Sequence, residues 1–162
     1  MPFRALVFAL VVLAAVPVSA DQWYEHYARA ERALMDADHA TAIAELNMAI
    51  ERRGDSGARV RTYGMRVIDY FPYLKLGIAY YHLGQHQSAL QAFQTEEQLG
   101  AIQASRTDME ELQRYRTLAL EARETSEILE SERKAQIVRE SLREAEILQR
   151  QGRLEAAMDA LG

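Results

Sequence analysis

No cysteine occurs anywhere in the 162 residues. That removes disulfides, thiolate metal sites and cysteine nucleophiles at once. It also removes a lipid-anchored N-terminus, because that route needs a Cys where the leader is cut. Proline is scarce: of three, only Pro72 lies beyond residue 20. The eight glycines sit at 54, 57, 64, 77, 84, 100, 152 and 162, so none falls between Ala101 and Gln151. Runs of alternating β-branched residues are missing, while Ala, Leu, Glu, Gln and Arg dominate, which predicts an all-α fold. Nucleophile elbows, phosphate loops and paired catalytic carboxylates are missing too, so no enzymatic activity and no cofactor are expected.

The first twenty residues read as a signal peptide to be set aside from fold reasoning. Arg4 gives a positive start, Ala5 to Val16 form an uncharged apolar run, and Pro17-Val18-Ser19-Ala20 ends in small residues suited to a peptidase. As a membrane anchor the run is too short, since a spanning helix needs about 20 apolar residues. Cutting after Ala20 removes one of the 19 basic residues and none of the 24 acidic ones, leaving a formal charge of −6. That balance favours solubility and argues against a nucleic-acid partner. After Ala20 no apolar stretch is long enough for a transmembrane span, and an exported periplasmic or secreted protein is expected.

Two helical hairpins are predicted in 21–104, with an insert at 52–70. The first runs from Trp23 to about Met35, then from about His39 to Glu51. Trp23, Tyr27, Ala30 and Leu34 share one face of its first helix, and Ala42, Leu46 and Ala49 with Ile43 and Ile50 form the stripe on its second. The insert holds Arg52, Arg53, Arg59, Arg61 and Arg66 against Asp55 and Asp69, the most basic stretch after the leader. Gly54-Asp55-Ser56-Gly57 reads as a turn or loop. The second hairpin starts near Pro72, which suits a first helical turn. Tyr73, Leu76, Gly77 and Tyr80 share one face, Gly84 marks the turn, and Gln87 to Leu99 buries Ala89, Leu90 and Phe93. Without a side chain, Gly77 lets the partner helix come close, at a propensity cost near ~1 kcal/mol relative to Ala.

Residues 105–162 read as a long charged helical segment. Thr107 to Glu110 fits a capping box, and Glu110–Arg114, Glu130–Lys134 and Glu146–Arg150 are supporting i, i+4 pairs. One helix from Thr107 to Arg150 and two stacked ones broken near Thr125-Ser126 are both allowed. Ile128, Ala135, Val138, Leu142 and Ala145 trace an apolar seam, so 107–150 also offers a coiled-coil homo-oligomer interface.

The second hairpin resembles a tetratricopeptide repeat (TPR), a 34-residue helix pair, through Tyr73, Leu76, Gly77, Tyr80, Gly84, Ala89 and Phe93. The family's next small position falls on Glu96 and its terminal proline on Ala101. The first hairpin matches through Ala30, Ala42, Leu46 and Ala49, with His26 and Arg29 departing from the pattern. Ala145, Leu148, Gly152 and Ala157 give a partial third match, with a turn expected at Gly152. That repeat would be cut short at Gly162, so the chain is expected to be a fragment of a longer protein or to pair with another chain there.

The resemblance implies a right-handed solenoid whose first helices line a concave groove for a protein or peptide partner. Tyr24, Tyr27, Leu34, Phe71, Leu74, Ile78, Tyr81 and His82 would line it, with Glu31 and Met35 beside them. If instead the long helix folds back over this face, those residues become core. The Lys and Asn that grip a C-terminal carboxylate in chaperone-binding relatives are missing. His82 and His86 stand four apart, but Gly84 breaks the helix between them, so no metal site is expected. The basic insert is either a solvated loop or a surface for an acidic partner or lipid headgroups. The expected function is an exported TPR scaffold in envelope assembly or organisation. The alternatives are a coiled-coil oligomerisation module and the regulatory arm of a larger protein with a catalytic domain beyond residue 162.

Overall fold

Helix α1 (Trp23–Met35) and helix α2 (His39–Arg52) form the first hairpin in the computed structural model, which describes residues 22–160. The expected leader and its cut after Ala20 therefore lie outside the described residues. Asp38 opens α2, its Oδ1 accepting from the Thr41 N–H at 3.0 Å. Ala30, Ala42, Leu46 and Ala49 are fully buried, and small side chains at these crossing points let the two helices pack closely.

Helix α3 (Pro72–His82) and helix α4 (His86–Leu99) make the second hairpin, with α2 packed against α3. Both hairpins match their expected bounds to within a residue or two, and Gly84 turns the second with φ 72°. Leu76, Gly77, Ala89 and Phe93 are buried at the seam, while Tyr73 and Tyr80 are half-buried on its edge.

The expectation of an all-α chain is corrected by the insert. Strand β1 (Gly57–Arg61) pairs antiparallel with strand β2 (Val67–Tyr70), with Val60 opposite Ile68 and Arg61 opposite Val67. Val60, Val67, Ile68 and Tyr70 are good strand formers, but each run is only four or five residues long and arginines interrupt it. The loop closes where the Thr62 N–H and hydroxyl both donate to the Arg66 carbonyl, at 2.7 and 3.1 Å. The molecule is thus predominantly helical, with one small two-stranded sheet among the described residues.

Helix α5 (Arg106–Asp159) is one unbroken helix of 54 residues, about 80 Å long at ~1.5 Å per residue. Ser105, rather than Thr107, caps it by accepting from the Asp108 N–H. No break occurs at Thr125-Ser126, because both hydroxyls bond back to the carbonyls of Glu121 and Ala122 at 2.8 Å. The helix also continues through Gly152, so the expected turn of a third repeat is not there. The 3-10 turn Ala101–Ala104 and the first part of α5 fold back on the second hairpin: Ile102 from the turn, with Leu112 and Ala119 from the helix, joins Phe71, Leu74, Ile78, Ala89 and Phe93 in one core cluster. Beyond Arg123 the described side chains of α5 are exposed.

Candidate binding cleft under the β-hairpin

The insert is anchored at its base by aromatics. Tyr70 packs edge-on against Trp23 and Tyr27, with ring centroids 4.5 and 4.9 Å apart. Its hydroxyl donates to the Arg53 carbonyl at 2.8 Å, and the Arg53 guanidinium lies 5.0 Å from the Trp23 ring. Burial pushes the Tyr70 and Tyr27 hydroxyls up, so both stay protonated; the Tyr27 oxygen accepts from the Phe71 N–H at 3.4 Å. Val60, Ile68 and Tyr70 thereby clamp one face of the hairpin onto α1.

Towards its tip the hairpin parts from the helix. Thr62, Arg66 and Ile68 overhang Tyr24, Glu25, Tyr27, Ala28 and Glu31, enclosing a cleft of about 260 Å³. A second recess of about 370 Å³, lined by Glu31, Leu34, Met35 and Lys75, adjoins it through the shared Glu31. The floor is apolar and aromatic, and a few charged groups stand at fixed points along it, the usual make-up of a ligand cleft. Burial by the cleft walls raises the Glu31 carboxyl above its ordinary value, although Lys75 and Arg66 draw it back down. Lys75 itself is held by Glu111 of α5 at 2.9 Å. A larger trough of about 560 Å³ between α4 and α5 is lined mainly by glutamines and charged groups, including the Glu97–Arg116 pair at 3.1 Å. That pair and the Arg123–Gln87 bond at 3.3 Å tie α5 to α4 across the trough, whose only apolar lining is Leu90 and Leu120, so the cleft under the hairpin is the stronger candidate.

The eight residues expected to line one groove are divided by the structure. Tyr24, Tyr27 and Leu34 line the cleft and its neighbouring recess. Phe71, Leu74 and Ile78 do not face an open groove: α5 lies over them and they are core. Half-buried Tyr81 packs edge-on against Tyr115, at 5.5 Å, and His82 stacks on His39 with ring centroids 4.6 Å apart. Burial and the neighbouring His39 hold the His82 imidazole below its usual value. His86 stands nearby, yet no group of three His, Cys, Asp or Glu among the described residues is arranged to hold a metal.

Two buried polar clusters escaped the sequence. Glu96 is fully buried, and its Oε2 accepts from the Tyr73 and Leu74 N–H groups at 3.1 and 3.2 Å. A carboxylate from α4 thus caps the N-terminus of α3, where the helix dipole favours negative charge. Burial raises the Glu96 carboxyl above its ordinary 4.5, against the pull of Ser56 and those two N–H groups. His26 and Arg29 both contact Glu45 Oε2, at 2.6 and 2.9 Å, tying α1 to α2. Burial alone would raise the Glu45 carboxyl, but the hydrogen bonds from His26 and Arg29 carry it below its ordinary value. The departures at His26, Arg29 and Glu96 marked these positions; what they bond was not visible in one dimension. The cleft's upper wall was missed because it requires the hairpin.

No protein-family model, curated protein or solved structure matches this chain. No helix among the described residues is long and apolar enough to cross a membrane.

Proposed function

We propose that this chain is an exported scaffold of tetratricopeptide type that holds an extended peptide segment of a partner protein, with no catalytic role of its own. The observation that carries this reading is the cleft between α1 and the overhanging strands, where Tyr24, Ala28 and Ile68 flank Glu31 and Arg66. Apolar walls bind side chains with little sequence preference, while Glu31 and Arg66 select a segment of matching charge order. Two antiparallel hairpins stacked through Ala30, Ala42, Ala49, Ala79 and Ala89 supply the rigid support. Export rests on the leader read in residues 1–20, and a role in envelope organisation follows from export and scaffold together.

The test is a peptide selection from a random display library on the purified chain, read through Trp23, the only tryptophan, which packs beside Tyr24 at 5.6 Å. Selected peptides should shift its emission on binding. A selection that returns no binder, or binders that leave Trp23 unchanged, contradicts the proposal.

A second reading concerns the free part of α5. Ile128, Val138 and Leu142 are each more than half exposed, and so are Leu129, Leu154 and Met158. At ~100° per residue the first three and Ala135 lie on one side of the helix, while Leu129, Ile147, Leu154 and Met158 lie on another. A two-stranded coiled coil covers one such side. The pattern favours enclosure by at least two helices, so self-association here would give a bundle rather than a simple pair.

A further inference from the structure

The loop joining β1 to β2 carries Tyr63 and Met65 almost wholly in solvent, 87% and 84% exposed. Gly64 and Met65 have φ of 71° and 66°, so a methionine occupies a left-handed conformation that few side chains adopt. Behind this tip Arg59 and Arg61 are exposed, and neither forms an ion pair among the described residues. Asp69, the nearest acid in the strands, accepts from the Arg59 backbone N–H at 2.8 Å. A protruding apolar tip behind which unpaired arginines stand has no facing wall of its own. It is convex, which suits a surface that yields to it rather than a peptide that needs a groove.

We propose that this hairpin tip docks on an anionic phospholipid surface, with Tyr63 and Met65 entering the interface and Arg59 and Arg61 meeting phosphate groups. Tyrosine settles at the headgroup level, where its ring is in an apolar layer and its hydroxyl stays wet. The charge layout of the chain agrees. Arg123 reaches Gln87 at the start of α4, at 3.3 Å, so α5 leaves the body at the end opposite the hairpin's base. Residues 124–159 hold nine acids against six basic residues, and this acidic segment starts at the end of the body opposite the hairpin's base. A net-negative protein approaches a negative surface most favourably with its basic hairpin foremost.

The cysteine-free background permits a local test on the full chain. A nitroxide is placed on Met65→Cys, with a second chain labelled at Gln149→Cys as control. Both are mixed with vesicles of phosphatidylcholine alone or with added phosphatidylglycerol. An apolar leader that binds vesicles by itself carries no label and gives no signal. The label at 65 should become protected from a water-soluble relaxation agent and accessible to oxygen only when phosphatidylglycerol is present. In that background Arg59→Gln with Arg61→Gln should lower partitioning roughly 20-fold, and Tyr63→Ser should reduce it with the fold retained by circular dichroism. Salt should abolish insertion as the screening length falls to ~3 Å at 1 M. A label at 65 that stays in water on phosphatidylglycerol vesicles, or enters phosphatidylcholine equally well, overturns the proposal. So does insertion of the label at 149 instead.

Discussion

A Cβ built on Gly77 would lie 2.3 Å from Cε1 of Phe93 and within 2.8 Å of two further atoms of that ring. Phe93 is fully buried, so the ring has nowhere to retreat. Gly77→Ala gains about 1 kcal/mol of helix propensity but forces a clash of roughly 1–3 kcal/mol. The substitution should lower the midpoint of thermal unfolding, and Gly77→Leu should leave the second hairpin unfolded. Combining Gly77→Ala with Phe93→Leu should recover part of the loss relative to Phe93→Leu alone. A Gly77→Leu chain that melts with the parent would refute close approach at this crossing.

Glu96 gives a pH dependence of definite sign. Its carboxyl is raised in the folded chain above the 4.5 it has when unfolded, so the folded state binds the extra proton. Its contribution is therefore greatest below pH 4.5 and declines as pH rises through the raised value. Glu96→Gln should gain on the parent in urea unfolding as pH is raised from about 4 to about 8. Glu96→Ala leaves two N–H groups of α3 without an acceptor and should cost roughly 1–3 kcal/mol. A Glu96→Gln difference that stays constant with pH, or runs the other way, would contradict this assignment.

Leucines on the two parts of α5 should behave differently. Leu112 is fully buried against the second hairpin, whereas Leu142 is 61% exposed. Leu112→Ala should cost roughly 2–5 kcal/mol, and Leu142→Ala should change stability by less than ~0.5 kcal/mol in the monomer. Light scattering decides whether the free segment associates: a mass that falls to the monomer when residues 134–162 are removed supports helix bundling there. If Leu142→Ala destabilises as much as Leu112→Ala at low protein concentration, the segment is packed rather than free.

Tyr70 ties the inserted strands to the end of α2 through its hydroxyl bond to Arg53, at 2.8 Å. Tyr70→Phe should cost about 0.5–1.5 kcal/mol and loosen the base of the hairpin, which Trp23 fluorescence will register. Unchanged stability together with unchanged emission would mean that the bond does not hold the strands in place.

The four short helices were legible because their signals are local. Apolar residues recur at helical spacing, Pro72 opens α3, and Gly84 turns the chain into α4. The sheet was not legible, because Arg59-Val60-Arg61 and Val67-Ile68-Asp69-Tyr70 are too short to show alternation and become strands only by pairing with each other. The fate of Phe71, Leu74 and Ile78 was equally hidden. Their spacing marks one face of α3, but whether that face is open depends on where a distant helix lies. The unbroken course of α5 past Thr125, Ser126 and Gly152 shows why cap-forming residues do not by themselves end a helix: here the hydroxyls bond back to their own turn. Of the cleft, the α1 wall was foreseen and the strand wall was not.

The central claim is that the space between α1 and the strands is where a partner segment lies. Ala28 is exposed, lines that space and supports no core contact, so Ala28→Trp fills the cleft without disturbing the fold. Titrating a display-selected peptide against this variant, the parent and a Gln149→Trp control measures the claim directly. The account predicts at least a tenfold loss of affinity (about 1.4 kcal/mol) for Ala28→Trp alone, with an unchanged unfolding midpoint. Equal affinity for all three chains would contradict it.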